Sequence, residues 1–404
     1  MKNPSNSSRR NFLKTSIAAP VAIAGAATGA NAAPDKAEPD AVIPRRKLGR
    51  NGPEVTMVTI GGSMEAHSPQ YLDLAWRNGI RSFDTSPNYL NGISERNVGG
   101  WNSKFKERRK ELFLVTKEPA PGGPEEMISN INRRLDLCQT EYIDLLFMHG
   151  IGVGRHGKES VNWPKSDRFR KVVEKLKESG KAKLIGFSCH DDELLTYMNN
   201  AAEGGFLDAI MIKYNPFFEK GDAFDQAVQR VYDAGIGLIC MKEMRPYAKA
   251  PKTSPEMEQV GLTTQQAVLH KVWSDKRISA ICSMMENVSQ IEENCNAARI
   301  FKKSLPAKQA KALQEIAMLN PVMMCPGCPS CREGAIHTDL AFSDISRYLT
   351  YYEQNGDATA RERYRKLSAA QRMSSGADLA ALREGCQYKV DYPEIIKRAE
   401  QYFG

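Results

Sequence analysis

The sequence predicts an α/β fold: a closed barrel of eight parallel strands, each followed by a helix, with a small helical domain at the C-terminus. Short apolar runs alternate with segments of 3.6-residue periodicity across residues 46–303. Eight strand-helix pairs are enough to close a (β/α)8 barrel. Residues 304–404 carry helical segments only, so they form the appended domain.

The predicted strands are apolar runs of four to six residues. They cover residues 55–60, 81–84, 112–116, 143–148, 183–187, 208–213, 237–241 and 278–283. Predicted barrel helices include 125–138, 167–179, 224–234 and 264–274, and those of the C-terminal domain cover 306–319, 340–352, 360–367 and 394–403. Gly79, Gly180 and Gly235 punctuate helix ends, because glycine accepts the left-handed backbone that ends a helix.

Polar side chains stand where three of these strands end. Asp84 closes one strand and Tyr89 follows it by five residues, while Lys117 and His149 close the next two. The carboxyl ends of parallel strands meet at one end of a barrel. We therefore expect these four side chains to converge on one pocket.

The segments that carry the four side chains are FDTSPNY (83–89), LFLVTK (112–117) and LLFMHG (145–150), preceded by RRKLGRNGPEVTMVTIGG (45–62). In this order they resemble the aldo-keto reductase family, over a stretch from Arg46 to about Arg299. The resemblance implies a TIM barrel and a nicotinamide-dependent interconversion of a carbonyl and an alcohol. It also implies that the four side chains are a catalytic tetrad.

The residue types by themselves suit this chemistry, independently of the family resemblance. A phenol with a pKa near 10 is a poor proton donor at neutral pH unless a cation lies beside it, and Lys117 would provide the cation beside Tyr89. Asp84 can hold the ammonium group charged and oriented. A neutral His149 can hydrogen-bond the substrate oxygen while Tyr89 gives or takes the proton.

The same resemblance implies a nicotinamide site along the later strand ends. Ser188 lies where the family contacts the carboxamide, and Tyr214 lies where an aromatic ring stacks on the nicotinamide. Lys242 follows the seventh strand near the expected pyrophosphate. Gln290 and Asn294 lie where the family holds the adenosine end.

Three positions depart from the family pattern. Cys189 stands where Asn is usual, Met211 where Gln is usual, and Met284 where NADP-preferring members often have a basic residue. Because a 2′-phosphate prefers Arg or Lys, the choice between NADP and NAD stays open. Because an exported enzyme also meets little free nicotinamide cofactor, a reaction that uses no free nicotinamide is a further alternative.

Residues 1–32 predict a twin-arginine signal peptide. Arg9 and Arg10 precede Phe12, Leu13 and a weakly apolar run, and a small-residue cleavage site follows at 30–32. The run is too short and too rich in Gly and Ala for a membrane anchor. We expect passage through the twin-arginine translocase to the periplasm, with residues 33–45 as a linker too poor in apolar residues to pack.

The C-terminal domain contains four cysteines that differ from the rest in their spacing. Cys325, Cys328 and Cys331 form C-x2-C-x2-C, and Cys386 follows alone. This pattern resembles that of a bacterial two-cluster ferredoxin in which the cysteine ligands of one cluster are kept and those of the other cluster are lost. Gly334 stands where the fourth cysteine of the first run is expected. The resemblance implies one 4Fe-4S cluster.

Three other interpretations compete for these cysteines: a four-cysteine zinc site, disulfides in an oxidising compartment, and a thioredoxin-like pair. Zinc is the strongest rival, because CPGC also suits a zinc knuckle. The remaining five cysteines are dispersed along barrel elements and predict isolated, mostly buried thiols. They are Cys138, Cys189, Cys240, Cys282 and Cys295.

The segment 152–157 fits G-x-G-x-x-G but no helix is entered directly by its glycines, so a dinucleotide fingerprint is disfavoured. We interpret it as a mobile loop over the substrate.

The net charge is +8, half of it from the four basic residues of 1–32, which is too mild for a nucleic-acid partner. The resulting hypothesis is an exported oxidoreductase acting on a small carbonyl or alcohol, with a 4Fe-4S cluster for electron transfer or structure and a redox partner protein. The alternative is a non-catalytic binding or structural protein on a reductase barrel, its tail held by a cluster or by zinc.

Overall fold

The computed structural model describes residues 42–62, 68–214, 221–247, 250–319, 340–372 and 390–404, together with Cys325, Leu382 and Cys386. The predicted signal peptide, most of the linker, Cys328 and Cys331 lie outside these residues. What the sequence predicts for them therefore stays a prediction.

Eight parallel strands close into a barrel. Their bounds are β3 Val58–Gly61, β4 Ser82–Asp84, β5 Phe113–Glu118, β6 Ile143–Ile151, β7 Ala182–Cys189, β8 Ala209–Lys213, β9 Gly237–Met241 and β10 Ile278–Ser283. Each strand pairs with its neighbour in chain order, and β10 pairs with both β9 and β3 to complete the ring. The predicted α/β barrel is confirmed.

The prediction of one strand over residues 55–60 is wrong. The chain forms two strands there, β2 Glu54–Thr56 and then β3, and β2 pairs antiparallel with β1 Arg45–Lys47. The apolar run continues across Met57 without a Gly or Pro. Local periodicity therefore carries no sign of the bend between the two strands.

This N-terminal hairpin closes the amino end of the barrel. Leu48 and Val55 are buried in the same apolar cluster as the side chains that fill the barrel interior. The Arg46 guanidinium donates to the main-chain oxygens of Trp273 and Ile278 at 2.6 and 3.0 Å, just before and at the start of β10. Water is thereby excluded from the interior at the end opposite the strand termini that carry the candidate site.

Helices follow the strands on the outside of the barrel. Their bounds are α1 Pro69–Arg77, α2 Ile93–Lys104, α3 Glu125–Cys138, α4 Val153–His156, α5 Asp167–Glu178, α6 Leu194–Gly204, α7 Gly221–Asp233, α8 Pro255–Glu258, α9 Thr264–Trp273 and α10 Val288–Ile300. Ser166 caps α5 through the Phe169 amide, and Thr263 caps α9 in a capping box. Gly79, Gly180 and Gly235 have positive φ, as predicted.

In the described residues after the barrel the chain forms the helices α11 Ala307–Leu319, α12 Phe342–Asn355, α13 Thr359–Arg365, α14 Ala369–Arg372 and α15 Tyr392–Phe403. Their buried side chains share one apolar cluster with Tyr247, Met257 and Val268 of the barrel region. All described residues belong to one compact unit, Pro39–Gly404. Within the described chain, none of the helices has the length and apolar character needed to cross a membrane.

Candidate active site

The structure brings Asp84 and Lys117 together at the carboxyl end of neighbouring strands β4 and β5. Lys117 Nζ donates to Asp84 Oδ1 and, at 3.1 Å, to the Thr85 main-chain oxygen. Asp84 and Lys117 are only 3% and 1% exposed, so the ion pair is almost fully desolvated. The buried ammonium group is thereby fixed in position, and the Tyr89 hydroxyl is a further hydrogen-bond partner of it.

Tyr89 and His149 lie beside this pair. Lys117 Nζ is 4.7 Å from the centroid of the Tyr89 ring, and the Tyr89 and His149 rings meet edge to face with centroids 5.7 Å apart. Tyr89 begins a 3-10 segment, Tyr89–Gly92, whose left-handed residues Leu90 and Asn91 turn the chain back toward the barrel. All four predicted side chains therefore share one site.

The electrostatics of the phenol differ from the expectation drawn from the sequence. Burial raises the pKa of Tyr89 and outweighs the opposing effect of Lys117. The pKa of Lys117 is lowered by burial, but Asp84 with Tyr89 and Cys282 raise it above its ordinary value overall. Lys117 thus stays charged and Tyr89 stays protonated at neutral pH, so the site holds a proton donor.

His149 is held as a neutral imidazole. Burial, followed by the charges of Lys117 and Arg155, lowers its pKa well below the ordinary value. Ser86 Oγ lies 2.9 Å from His149 Nδ1 and also accepts the Asn88 amide at 3.2 Å. Ser86 keeps its hydroxyl proton while it accepts the Asn88 amide, so it can donate that proton to Nδ1; in that arrangement the neutral ring carries its own proton on Nε2.

Sequence reasoning missed two residues of this site. Ser86 stands inside the quoted segment 83–89, so the signal for it was present. Cys282, predicted to be an isolated thiol, hydrogen-bonds the Asp84 carboxylate from β10. No local pattern marks Cys282, because β10 reaches β3 and β4 only when the barrel closes.

Residues 57–246 match the family model described as the aldo/keto reductase family. The chain contains an aldo-keto reductase domain. An L-galactose dehydrogenase from Arabidopsis thaliana is 26% identical over 313 residues, which are 69% of this chain and 95% of that protein. These similarities make the protein an oxidoreductase of aldo-keto reductase type.

Solved structures show the same fold. An aldo-keto reductase from Bacillus halodurans in its holo form superposes with a TM-score of 0.52 at 19% identity, covering 68% of this chain and 96% of that one. An aldo-keto reductase from Klebsiella pneumoniae in complex with NADPH gives a TM-score of 0.52 at 17% identity, covering 68% and 95%. At these identities the likeness concerns the barrel fold alone.

Three of the residues predicted to bind cofactor in this reductase domain lie on or beside its strand ends. Ser188 in β7 is buried and accepts the Gly150 amide at 2.8 Å. Asn294 in α10 donates to Ser283 Oγ at the end of β10 at 3.3 Å. Gln290, one turn earlier, accepts the Glu286 amide at 2.7 Å.

Tyr214 and Lys242 are placed differently. The Tyr214 hydroxyl donates to Asp275, before β10, at 3.1 Å, and the ring packs near Phe224 of α7 in the outer layer of the barrel. The structure therefore does not bring this phenol to the four tetrad side chains. Lys242 follows β9 with a left-handed backbone and donates to the hydroxyl of Tyr351 in α12.

Helix α12 crosses the carboxyl end of the reductase barrel. Lys213, the last residue of β8, donates to Ser343 Oγ at 2.6 Å, and Ser343 donates to the main-chain oxygen of His190 at 3.0 Å. His190, which sequence reasoning did not select, is buried directly after β7. The C-terminal helices thus border the site, a contact that no local sequence pattern predicts.

Within the glycine-containing segment 152–157, residues Val153–His156 form a single helical turn, α4, so the prediction of a loop is wrong for these four residues. His156 accepts the Gly152 amide on Nδ1 at 3.4 Å, and its Nε2 lies 3.3 Å from the Pro119 main-chain oxygen. Both contacts suit a neutral ring with its proton on Nε2. Burial and the Arg155 charge lower the pKa of His156 to about 4.

This low pKa predicts acid destabilisation of the segment. The unfolded chain binds a proton at His156 below about pH 6.5 while the folded chain does not until about pH 4, so stability falls as the pH drops through this window. Between pH 7 and pH 5, the unfolding free energy of the unmutated protein should fall by about 2 kcal/mol more than that of the His156→Gln variant. Urea unfolding at the two pH values measures it, and equal decreases in both proteins would contradict the assignment.

Of the four cysteines predicted to bind a cluster, the structure describes two. Cys325 and Cys386 are both buried in the apolar cluster of the C-terminal helices, and the Tyr392 hydroxyl donates to Cys325 Sγ at 3.2 Å. Among the described residues, no group of three or more His, Cys, Asp or Glu side chains could hold a metal. Cys328 and Cys331 are not part of that set.

A pocket of about 400 Å³ lies at the opposite, amino end of the barrel. Its lining includes Leu48, Lys177, Asp208 and Gly235. Lys177 and Asp208 form an ion pair there at 2.7 Å. Barrel enzymes bind substrate at the carboxyl end, so we assign no catalytic role to this pocket.

Proposed function

We propose that the protein interconverts a carbonyl compound and an alcohol by hydride exchange with a nicotinamide. The observation that carries this proposal is the buried Asp84–Lys117 pair with Tyr89 and His149 arranged around it. A desolvated ammonium group beside a protonated phenol and a neutral imidazole is what carbonyl reduction needs at the substrate oxygen.

In the direction of reduction, a bound nicotinamide would supply the hydride that the carbonyl carbon accepts. Tyr89 Oη gives its proton to the carbonyl oxygen, which becomes the hydroxyl of the alcohol. His149 Nε2–H hydrogen-bonds the same oxygen and orients it, while Lys117 stabilises the phenolate left on Tyr89. Asp84 keeps the ammonium group in place, and Tyr89 regains a proton before the next turnover.

The residues proposed to hold the nicotinamide dinucleotide are Ser188, Tyr214, Lys242, Gln290 and Asn294. Among them, Tyr214 has its hydroxyl turned toward Asp275, which leaves only its ring for a stacking contact. Met284 and Val288 fit the adenosine end, because both are large apolar side chains left more than 40% exposed beside Gln290. NADP(H) is the first candidate, supported by the NADPH-bound structure from Klebsiella pneumoniae. NAD(H) is to be tested beside it.

The test is consumption of NADPH or NADH at 340 nm with a panel of generic aldehydes, together with mass spectrometry of any nucleotide that co-purifies. We expect turnover with at least one nicotinamide and a nucleotide bound to the folded protein. A protein that binds neither nucleotide and reduces no aldehyde would contradict the proposal.

We further propose one 4Fe-4S cluster held by Cys325, Cys328, Cys331 and Cys386. The burial of Cys325 and Cys386 in one apolar cluster supports it, since a cluster site needs shielding from water. Such a centre would exchange one electron at a time with a redox partner protein or stabilise the helical domain.

The cluster proposal predicts about four iron and four sulfide per chain after anaerobic purification, with a brown visible spectrum. Cys386→Ser should lose most of the iron, because a serine oxygen replaces a soft thiolate ligand. Cys295→Ser, which removes a buried thiol from barrel helix α10, should keep it. A colourless protein with one zinc per chain would contradict the cluster.

Finally, we propose export to the periplasm by the twin-arginine translocase, on the basis of the sequence of residues 1–32. Replacing Arg9 and Arg10 by Lys should leave the full-length protein in the cytoplasmic fraction. Cell fractionation of the two forms provides the measurement, and equal periplasmic amounts would contradict this route.

A further inference from the structure

Three arginines from separate elements direct their charge at His149: Arg155 contacts it, and Arg347 and Arg363 lie close enough for their charges to act on its ring. Arg155 of α4 donates from Nη1 to the main-chain oxygen of His149. Arg347 of α12 pairs with Asp344 one turn away. Arg363 of α13 pairs with Asp357 at 3.4 Å.

The contact between α4 and the C-terminal helices brings these arginines into one region. A Cβ atom at Gly154 would lie 3.0 Å from Asp344 Oδ2 and 3.4 Å from Leu367 Cδ2, so the two parts touch. Burial and the charge of Lys117 have the largest effects in lowering the pKa of His149, and the charges of Arg155, Arg363 and Arg347 lower it further. All three guanidinium groups therefore act on the candidate catalytic site.

The charge of this arginine cluster is not balanced within the described part of the chain. Asp344 and Asp357 pair with two of the three, and Arg155 forms no ion pair with a described residue. Arg347 Nε is buried and has no hydrogen-bond partner among the described residues. A buried guanidinium donor without an acceptor is costly, and a carboxylate or phosphate oxygen is the acceptor that suits it.

We propose that the substrate of the reductase site carries an anionic group, a carboxylate or a phosphate, which Arg155, Arg347 and Arg363 bind. This inference rests on the proposed function. The substrate oxygen lies at Tyr89 and His149, and its charged end lies on the arginine cluster. Because Arg347 and Arg363 belong to the C-terminal helices, these helices supply part of the substrate site.

The test compares 4-carboxybenzaldehyde with its methyl ester, which share one skeleton and differ in charge. We expect the holoenzyme to prefer the carboxylate by kcat/KM, and Arg363→Gln to reduce that preference about tenfold or more. Arg361→Gln is the matched control, because Arg361 lies on the same helix but is exposed and donates to Tyr402. Arg155→Lys should keep most of the preference, since the charge remains.

Two further measurements separate the ways in which this inference fails. Benzoate binding by calorimetry needs no turnover: if both aldehydes are inert, the proposed function fails, while benzoate binding weakened by Arg363→Gln still supports the anion site. If Arg363→Gln weakens NADPH binding and leaves the preference unchanged, the anion is the cofactor phosphate and the inference is overturned. Equal rates for acid and ester, or no benzoate binding, also overturn it.

Discussion

Tyr89→Phe should lower kcat for aldehyde reduction by a factor of about a hundred to ten thousand, the range typical of removing a general acid. The phenylalanine ring retains the packing against His149 and the cation contact with Lys117 but has no proton to give. Steady-state kinetics at neutral pH, with circular dichroism and nucleotide binding as checks of folding, measures the effect. We expect nucleotide affinity to remain unchanged.

Tyr197→Phe is the matched control for this substitution. Tyr197 is fully buried on the outside of the barrel, and its hydroxyl shares a hydrogen bond of 2.6 Å with the Ser160 hydroxyl, away from the candidate catalytic residues. Losing that bond should cost about 1 kcal/mol of stability and leave kcat within about twofold. Comparable losses of kcat in both variants would show that Tyr89 acts through packing and would remove it from the mechanism.

Lys117→Met should destabilise the folded protein by about 3–5 kcal/mol and abolish turnover, because it leaves the Asp84 carboxylate buried without its cation. Chemical denaturation gives the unfolding free energy, and the same samples give the rate. Arg168→Met, which breaks an ion pair between two half-exposed side chains at 2.7 Å, should cost at most about 1 kcal/mol.

The double variant Asp84→Asn/Lys117→Met distinguishes charge burial from packing. Removing both charges should restore much of the stability lost in Lys117→Met, because no isolated charge remains. Activity should stay absent, since the cation beside Tyr89 is missing. A double variant less stable than the sum of the two single ones would contradict a buried, paired charge at this site.

The amino-acid sequence by itself determined the strand-helix alternation and the positions where strands end. Each barrel strand is a short apolar run, and its side chains alternate between the interior and the helix layer, so its identity is encoded locally. Because strands are encoded locally, the sequence also showed that Asp84, Lys117 and His149 lie at strand ends. Parallel pairing of the strands then brings these positions together. Gly79, Gly180 and Gly235 took positive φ for equally local reasons.

Only the tertiary structure decided where side chains point once a strand has ended and which distant elements reach the site. Tyr214 directs its hydroxyl into the outer layer, and Cys282 meets Asp84 only through ring closure. Arg347 approaches Arg155 only because α12 packs across the end of the barrel. These contacts join residues far apart in the chain, and their free energy depends on desolvation and on the shape of the partner surface, which no local pattern contains.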